Sequence, residues 1–339
     1  MDISQIKKSI PAKCFEKNLL KSMLYYITYI ALFFTFFTVN EYLTNWYEYL
    51  LYWNIYGFIA WCIFVIGHDC GHGSFSNYPI INNILGTIAH TIIFVPYYPW
   101  KRSHYFHHRY HNHKDNDKSH PWLTQNEFEK GYPYLARLLM PTIIGPIIGF
   151  WVYLYYGIER DGSHITPFGK LYKNSTLPQK LECVSSVIAI IIWYNILYSY
   201  FGTHYNVFIN YGLINVVCFY WLFVVTYFQH HVDNTTVYDN NNFTFVDGAF
   251  QTVDRKIGYN IDVLHHHISD CHVVHHMFCK DIPHYHLKEA TNSLHNIPDI
   301  NSKMKFVDHS QYPFKYFRDF HSYYHNHLFT NWKLKKVEN

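Results

Sequence analysis

Charge is scarce in this chain. Only 15% of its 339 residues are Asp, Glu, Lys or Arg, where a soluble domain usually carries about a quarter. The net charge of +3 is small, and no basic run alternates with aromatic residues, so no nucleic acid is expected as a partner. The seven cysteines are odd in number and scattered, with no CxxC pair. That pattern argues against a zinc ribbon or a redox dithiol, and reduced thiols facing cytosol or lipid are expected instead. The opening residues, MDISQIKKSIPAKCFEKNLLKS, are polar and lysine-bearing, unlike a cleavable signal peptide. They hold acidic residues and no arginine, unlike an organellar transit peptide. Internal repeats and low-complexity tracts are also missing.

What the chain does have is apolar and aromatic bulk, 49% and 20% of its residues. Long apolar stretches run through 23–39, 51–66, 80–96, 135–157, 184–201 and 207–228. Several reach or approach the roughly 20 residues needed to cross a bilayer core, and Tyr and Trp crowd their ends as interfacial residues do. Lys7, Lys8, Lys13, Lys17 and Lys21 precede the first stretch, while the connector at 40–50 holds Glu41 and Glu48 and no Lys or Arg. The positive-inside tendency therefore places the N-terminus in the cytosol and that connector outside. Lys170, Lys173 and Lys180 precede 184–201, and the turn at 202–206 lacks Lys and Arg. This pair reads as a second hairpin with both ends cytosolic.

Three histidine clusters dominate the rest: His68 and His72 in HDCGH, His104, His107 and His108 in HYFHH, and His272, His275 and His276 in HVVHH. Residues spaced i, i+3 and i+4 share one helix face, so each cluster aims several imidazoles at a common point. Neutral imidazole is a ligand for iron, zinc, copper and nickel. Eight such side chains are too many for one ion and suit two metals sharing a site. From the histidine frequency, chance alone yields on the order of 0.1–0.2 HxxHH matches in such a chain. Two matches and an HxxxH beside membrane boundaries exceed that. The clusters must also lie on one side of the membrane to meet, so an even number of crossings separates them. Residues 80–96 and 135–157, which carry Pro96, Pro141, Pro146, Gly145 and Gly149, are accordingly read as interfacial or re-entrant. Four spans follow, and a six-span arrangement is rejected.

Other histidines have blander readings. His321 and His325 are read as surface or packing residues, and His90 as a buried, hydrogen-bonded one. His111, His113 and His120 extend the second cluster as outer support or as packing. Asp69, Asp117 and Asp270 are read as carboxylates that orient ligating imidazoles. The polar stretch 231–247 reads as a loop.

HDCGHGSFSN, WKRSHYFHHRYHNHKDNDKSHPW and HHHISDCHVVHHMFCKDIPHYHLKEAT together resemble the membrane-bound fatty acid desaturases, in their methyl-end (delta-12 and omega-3) branch. The flanks VPYYPWKRSH, FQHH and FVDGAFQTVDRKIG fit the same family, and the resemblance extends from IKKSIPAKCFEKNLLKSM to about residue 295. It implies iron ligands at His68, His72, His104, His107, His108, His272, His275 and His276. It adds His230 from FQHH and His266 just before the third cluster; after His230 the chain departs from the family with His231-Val232-Asp233. The implied cofactor is two non-haem irons. The implied reaction uses dioxygen and two electrons to remove neighbouring hydrogens from an acyl chain, leaving a cis double bond and water. No HPGG-type haem motif is present, so an external donor is implied: cytochrome b5 with its reductase, at the endoplasmic reticulum.

The expected architecture is an all-α integral membrane protein, four transmembrane helices with a cytosolic helical cap holding a histidine-ligated di-iron site. Residues 1–22 form a cytosolic N-terminal segment, 23–295 the membrane domain with its histidine boxes, and 296–339 a cytosolic tail. The substrate is an acyl-lipid, phospholipid- or CoA-linked. Related hydroxylases, acetylenases and epoxygenases share the same boxes and are the alternative. A histidine-rich membrane metal transporter is a remoter one, which would string its ligands along a path across the bilayer.

Overall fold

The computed structural model describes residues 2–117, 119–120, 122–157, 162–330 and 332–335. Asn18 ends the polar leader by capping the first long helix, its side chain accepting from the Lys21 N–H at 3.0 Å. That helix, α1 (Leu19–Val39), is followed by α2 (Trp46–His72). At the start of α2 the Glu48 carboxylate accepts the Asn45 N–H at 2.9 Å. Gly73, at φ +81°, stops α2 immediately after its second histidine. Next come α3 (Pro79–Thr91), α4 (Tyr97–Arg109), α5 (Gly145–Tyr155) and α6 (Leu177–Phe201). The next long helix, α7 (Leu213–His230), is preceded by a short helical turn and a π turn that make one apolar run of His204–His230. Three shorter helices follow: α8 (His272–Phe278), α9 (His284–His295) and α10 (Lys315–His327).

Among the described residues, four helices are long and apolar enough to cross a membrane: Leu19–Tyr42, Trp46–His72, Leu177–Phe201 and His204–His230. They are the four spans expected from hydropathy. By contrast α3, with 13 residues, and α5, with 11, are only about 20 and 17 Å long, short of a core about 30 Å thick.

The spans are not equivalent. Over its most apolar window α2 is 67% buried, whereas the outer helices of 19–42 and 177–201 are each 17% buried. So α2 runs through the middle, and α7 packs along it. Gly57 makes that approach possible, because a Cβ there would lie 2.5 Å from the Cβ of Val217. The helices α2 and α7 end at the same level and deliver His68, His72 and His230 to one place. A second apolar core joins Ile6, Ile10 and Cys14 of the leader to Val274 and Phe278 of α8 and Leu287 of α9. It clamps the cap over that end of the bundle.

The expectation of a purely helical chain is corrected by two small parallel sheets. β1 (Thr235–Val237) pairs with β4 (Trp332–Leu334), and β2 (Val253–Lys256) pairs with β3 (Lys305–Asp308). Parallel pairing needs partners far apart in the chain, and strands of three or four residues give too little alternation to read locally. The stretch 231–247 is likewise only partly a loop, since it contains β1. The tail is also packed: in α10, Phe317 lies edge-on to Trp221 of α7 at 4.8 Å and His321 accepts or donates to the Tyr220 hydroxyl at 2.8 Å. His321 is thus a packing residue, as expected. His90 is buried with Nδ1 3.0 Å from the Gly86 carbonyl, also as expected.

β2 carries a buried acid. Asp254 accepts the Val273 N–H at 2.9 Å, and its other oxygen has no partner. Burial pushes its pKa up to about 8 from 3.8. Its folded-state pKa lies above the unfolded one, so between pH 3.8 and about 8 the unfolded chain binds fewer protons and stability falls as pH rises. The thermal midpoint of Asp254→Asn should therefore drop less than that of the parent between pH 6 and 8. Parallel melting curves for the two proteins would show this carboxyl is not the source.

Candidate metal centre

The local helix rule determines which histidines travel together, and packing determines where they go. His68 and His72 sit one turn apart on α2, with their Nε2 atoms 3.2 Å apart; His104 and His108 repeat this on α4 at 3.0 Å. These two pairs meet His275 of α8, and one ring nitrogen from each of the five lies within 4.8 Å of all the others. The adjacent residues point elsewhere. His107 and His276 turn about 100° from their neighbours and join His111 and His230 in a second group with the same spacing. The groups touch where His108 and His276 stack at 4.1 Å.

Eight of the ten sequence-predicted residues fall in these groups: His68, His72, His104, His108 and His275 in one, His107, His230 and His276 in the other. His272 borders the second, its Nε2 3.3 Å from that of His230 and 3.1 Å from that of His276. His266 is brought to neither group. It lies against Tyr29 at 4.9 Å and His284 at 4.5 Å. His111 was read only as outer support or packing, yet it stands in the second group. Its signal was its position four residues after His107, although α4 ends at Arg109 and His111 stands in the turn that follows.

The nitrogens fit metal ions. Two imidazole nitrogens about 2.1 Å from one ion and at right angles stand about 3.0 Å apart, close to the pair distances here. Two neutral rings can share one proton in a hydrogen bond, but five converging nitrogens cannot all do so. Nε2 of His275 and both ring nitrogens of His111 are buried with no hydrogen-bond partner. An orphaned buried nitrogen is costly unless something occupies its lone pair. Burial, together with neighbouring imidazoles, holds His104, His108, His111, His272, His275 and His276 well below the usual histidine range. They are neutral at physiological pH, with lone pairs available.

Orienting groups are fewer than expected. Asp117 places its carboxylate 2.9 Å from Nδ1 of His107, which leaves Nε2 to face the second group. Nδ1 of His272 is held by the Ile268 carbonyl at 3.0 Å. Asp69 does not serve His68, whose Nδ1 is 3.8 Å away and unpartnered; it accepts from His284, through the ring at 2.9 Å and the backbone N–H at 3.1 Å. Asp270 pairs with His267 and Lys288. Sequence adjacency misled for Asp69 because a neighbour in a helix points about 100° away; Asp270 lies in the turns before α8, where helix periodicity does not hold. Replacing Asp117 by Asn keeps the shape and removes the charge that fixes the His107 tautomer. Metal affinity should fall about 10- to 100-fold, as read by competition with a chelator. An unchanged affinity would take Asp117 out of the site.

Beside the second group lies an apolar cavity. It is walled by Trp61 and Phe64 of α2, Phe150 of α5 and Leu222 of α7, and it reaches His68, His107, His230 and His272. The far wall comes from Tyr323, Phe329 and Trp332 of the tail and from Trp122 and Phe128. No pattern in the sequence marked the tail as cavity wall.

Comparison with known proteins places this arrangement among relatives. A family profile described as fatty acid desaturase matches residues 44–307. The chain is 35% identical over 339 residues to the omega-3 fatty acid desaturase fat-1 of Caenorhabditis elegans, covering 98% of this chain and 80% of the relative. It is 33% identical over 325 residues to the delta(12) fatty acid desaturase fat-2 of the same organism, covering 92% and 82%. With the acyl-lipid omega-3 desaturase (cytochrome b5) of the endoplasmic reticulum of Arabidopsis thaliana it shares 34% identity over 299 residues, 87% of this chain and 76% of that one.

Proposed function

We infer the chemistry of the paired histidine groups from one premise, that the chain belongs to the fatty acid desaturase family, in its methyl-end branch. It is an acyl-lipid desaturase, an oxidoreductase that inserts a cis double bond at the delta-12 or omega-3 position of a fatty acyl chain. The observation that carries this reading is the meeting of two imidazole groups with one apolar cavity. Five nitrogens in the first group and four in the second, with His272 beside them, are the donor set for two irons. Iron bound there would supply the redox chemistry that uses dioxygen and two electrons to break unactivated C–H bonds.

The protein's own share is placement and exclusion. Asp117 and the Ile268 carbonyl hold two imidazoles in one tautomer. The cavity keeps an acyl chain at a set register against His107 and His230, and its aromatic walls keep water from the reacting carbons.

The electrons come from an external donor, cytochrome b5 with its reductase, in keeping with the name of the Arabidopsis relative. The protein is integral to the membrane, at the endoplasmic reticulum, with the histidine end of the bundle in the cytosol. Residues 1–22 and 296–339 are its cytosolic segments, flanking the membrane domain of 23–295. A metal transporter would spread histidines along a path through the spans; here they gather at one end of α2 and α7.

Expression in a yeast that makes only monounsaturated fats, followed by gas chromatography, tests the reading. New linoleate marks delta-12 activity, and linolenate from supplied linoleate marks omega-3 activity. A hydroxylated, acetylenic or epoxidised product would reassign the outcome within the same chemistry. No product, with the protein present and the donor intact, would refute the assignment. The purified protein should carry about two irons per chain, and zinc in their place would count against it.

A further inference from the structure

The ring of His230 is aimed into the second histidine group without a tether of its own. Asp117 orients His107, and the Ile268 carbonyl orients His272. Nδ1 of His230, by contrast, is buried with no hydrogen-bond partner among the described residues. Its Nε2 still stands 3.2 Å from that of His107 and 3.3 Å from that of His272. An untethered imidazole takes its direction from the main chain that carries it. His230 is the last residue of α7, where a helix leaves its carbonyls unpaired and frays unless something holds them.

Arg255 of β2 holds that end. Its buried guanidinium donates through Nε to the Phe228 carbonyl at 2.7 Å and through Nη2 to the His231 carbonyl at 2.9 Å. One side chain thus grips the backbone on both sides of His230. The same group lies 3.6 Å from the centre of the Phe228 ring, and its charge sits at the negative end of the α7 dipole. Nη1 reaches Nε2 of His309 at 3.2 Å. A guanidinium can only donate, so this nitrogen accepts, and Nδ1 of His309 gives its hydrogen to Asp319 at 3.0 Å. Asp319 lies on α10 of the tail, where Lys315 and Arg318 pair with it. The backbone N–H of Arg255 donates to the Ser269 carbonyl at 2.8 Å, shortly before His272. Arg255 therefore joins α7, the approach to α8 and the tail at one point. A planar fork can serve three acceptors in this way, whereas an ammonium, a single point of charge, cannot span them.

We propose that Arg255 is a positioning residue of the metal centre, which sets the aim of His230 through the end of α7, with His309 and Asp319 of the tail as its brace. The inference rests on the desaturase reading and deepens it. It makes the tail part of the catalytic unit, because the support of one imidazole begins there.

The test uses the full chain, loaded with iron, in lipid nanodiscs with a reduced cytochrome b5 system. In Arg255→Gln, kcat should fall about 10- to 100-fold, as for loss of other partners that orient a ligand, while the KM for the acyl substrate stays at the parental value. One iron should yield to a chelator at about tenfold lower concentration than in the parent, and the other should hold. The Mössbauer spectrum should change for that one iron alone. Arg255→Lys should recover part of kcat. Asp319→Asn keeps the shape of the brace and removes its charge, so it should show the same pattern at smaller size, and it carries the test if Arg255→Gln fails to reach the membrane. Two irons loosened alike, or a kcat that falls only as the amount of folded protein falls, would make Arg255 a residue of the fold and overturn the proposal. So would parental kcat and iron retention in the variants. A parent that makes no product would instead sink the desaturase reading, while the chelator and Mössbauer measurements would still judge Arg255.

Discussion

Alanine at His275 should abolish product formation, lowering activity by more than the roughly 100-fold expected for loss of an outer partner. His275 is the only member of the first group supplied by α8, and it closes a ring of nitrogens otherwise provided by α2 and α4. Its Nε2 is buried without a hydrogen-bond partner, so the atom is poised for a metal and takes no part in hydrogen bonding the fold. The variant should therefore still reach the membrane in parental amount, with iron falling from about two per chain towards one. His107→Ala should behave alike, with the loss in the second group. Gas chromatography and metal analysis on the same preparation decide the matter: retained product, or an undiminished iron content, would remove that residue from the ligand set.

A tryptophan at Thr226 should stop the reaction by another route. Thr226 lines the apolar cavity and lies four residues before His230 on α7, so the two side chains share a helix face about 5–6 Å apart. An indole there would fill the space where a methylene must stand. The cost in stability should be about 1–3 kcal/mol, as for overpacking elsewhere. Activity on an 18-carbon chain should fall about 100-fold or more, since misplacement alone costs that much. Iron content should remain at the parental value, which separates a blocked slot from a broken site. At the far wall, Trp332→Ala should move the position of the new double bond more than its rate. Normal turnover in Thr226→Trp would mean that the acyl chain lies elsewhere.

How far the sequence reached depended on the distance over which each feature is specified. Spans depend on runs of apolar side chains, and the four helices stand where hydropathy put them. The histidine clusters depend on the spacing of one helical turn, so His68 with His72 and His104 with His108 were legible as pairs. Beyond one turn the sequence was silent. Nothing local says that His107 faces His230 across 123 residues, their Nε2 atoms 3.2 Å apart, or that His107 and His108 serve different groups. The same limit hid the true partners of Asp69 and Asp270, the short parallel strands, and the tail residues that wall the cavity.

The sequence by itself therefore picked out most of the imidazoles that gather, though not His111, and the end of the helices at which they lie, because periodicity and hydropathy act between near neighbours. Only the tertiary structure decided how those imidazoles divide into five and four, and which carboxylate holds one of them. Those choices are made by the packing of α2, α4, α7 and α8 against one another, through contacts between residues the chain keeps far apart.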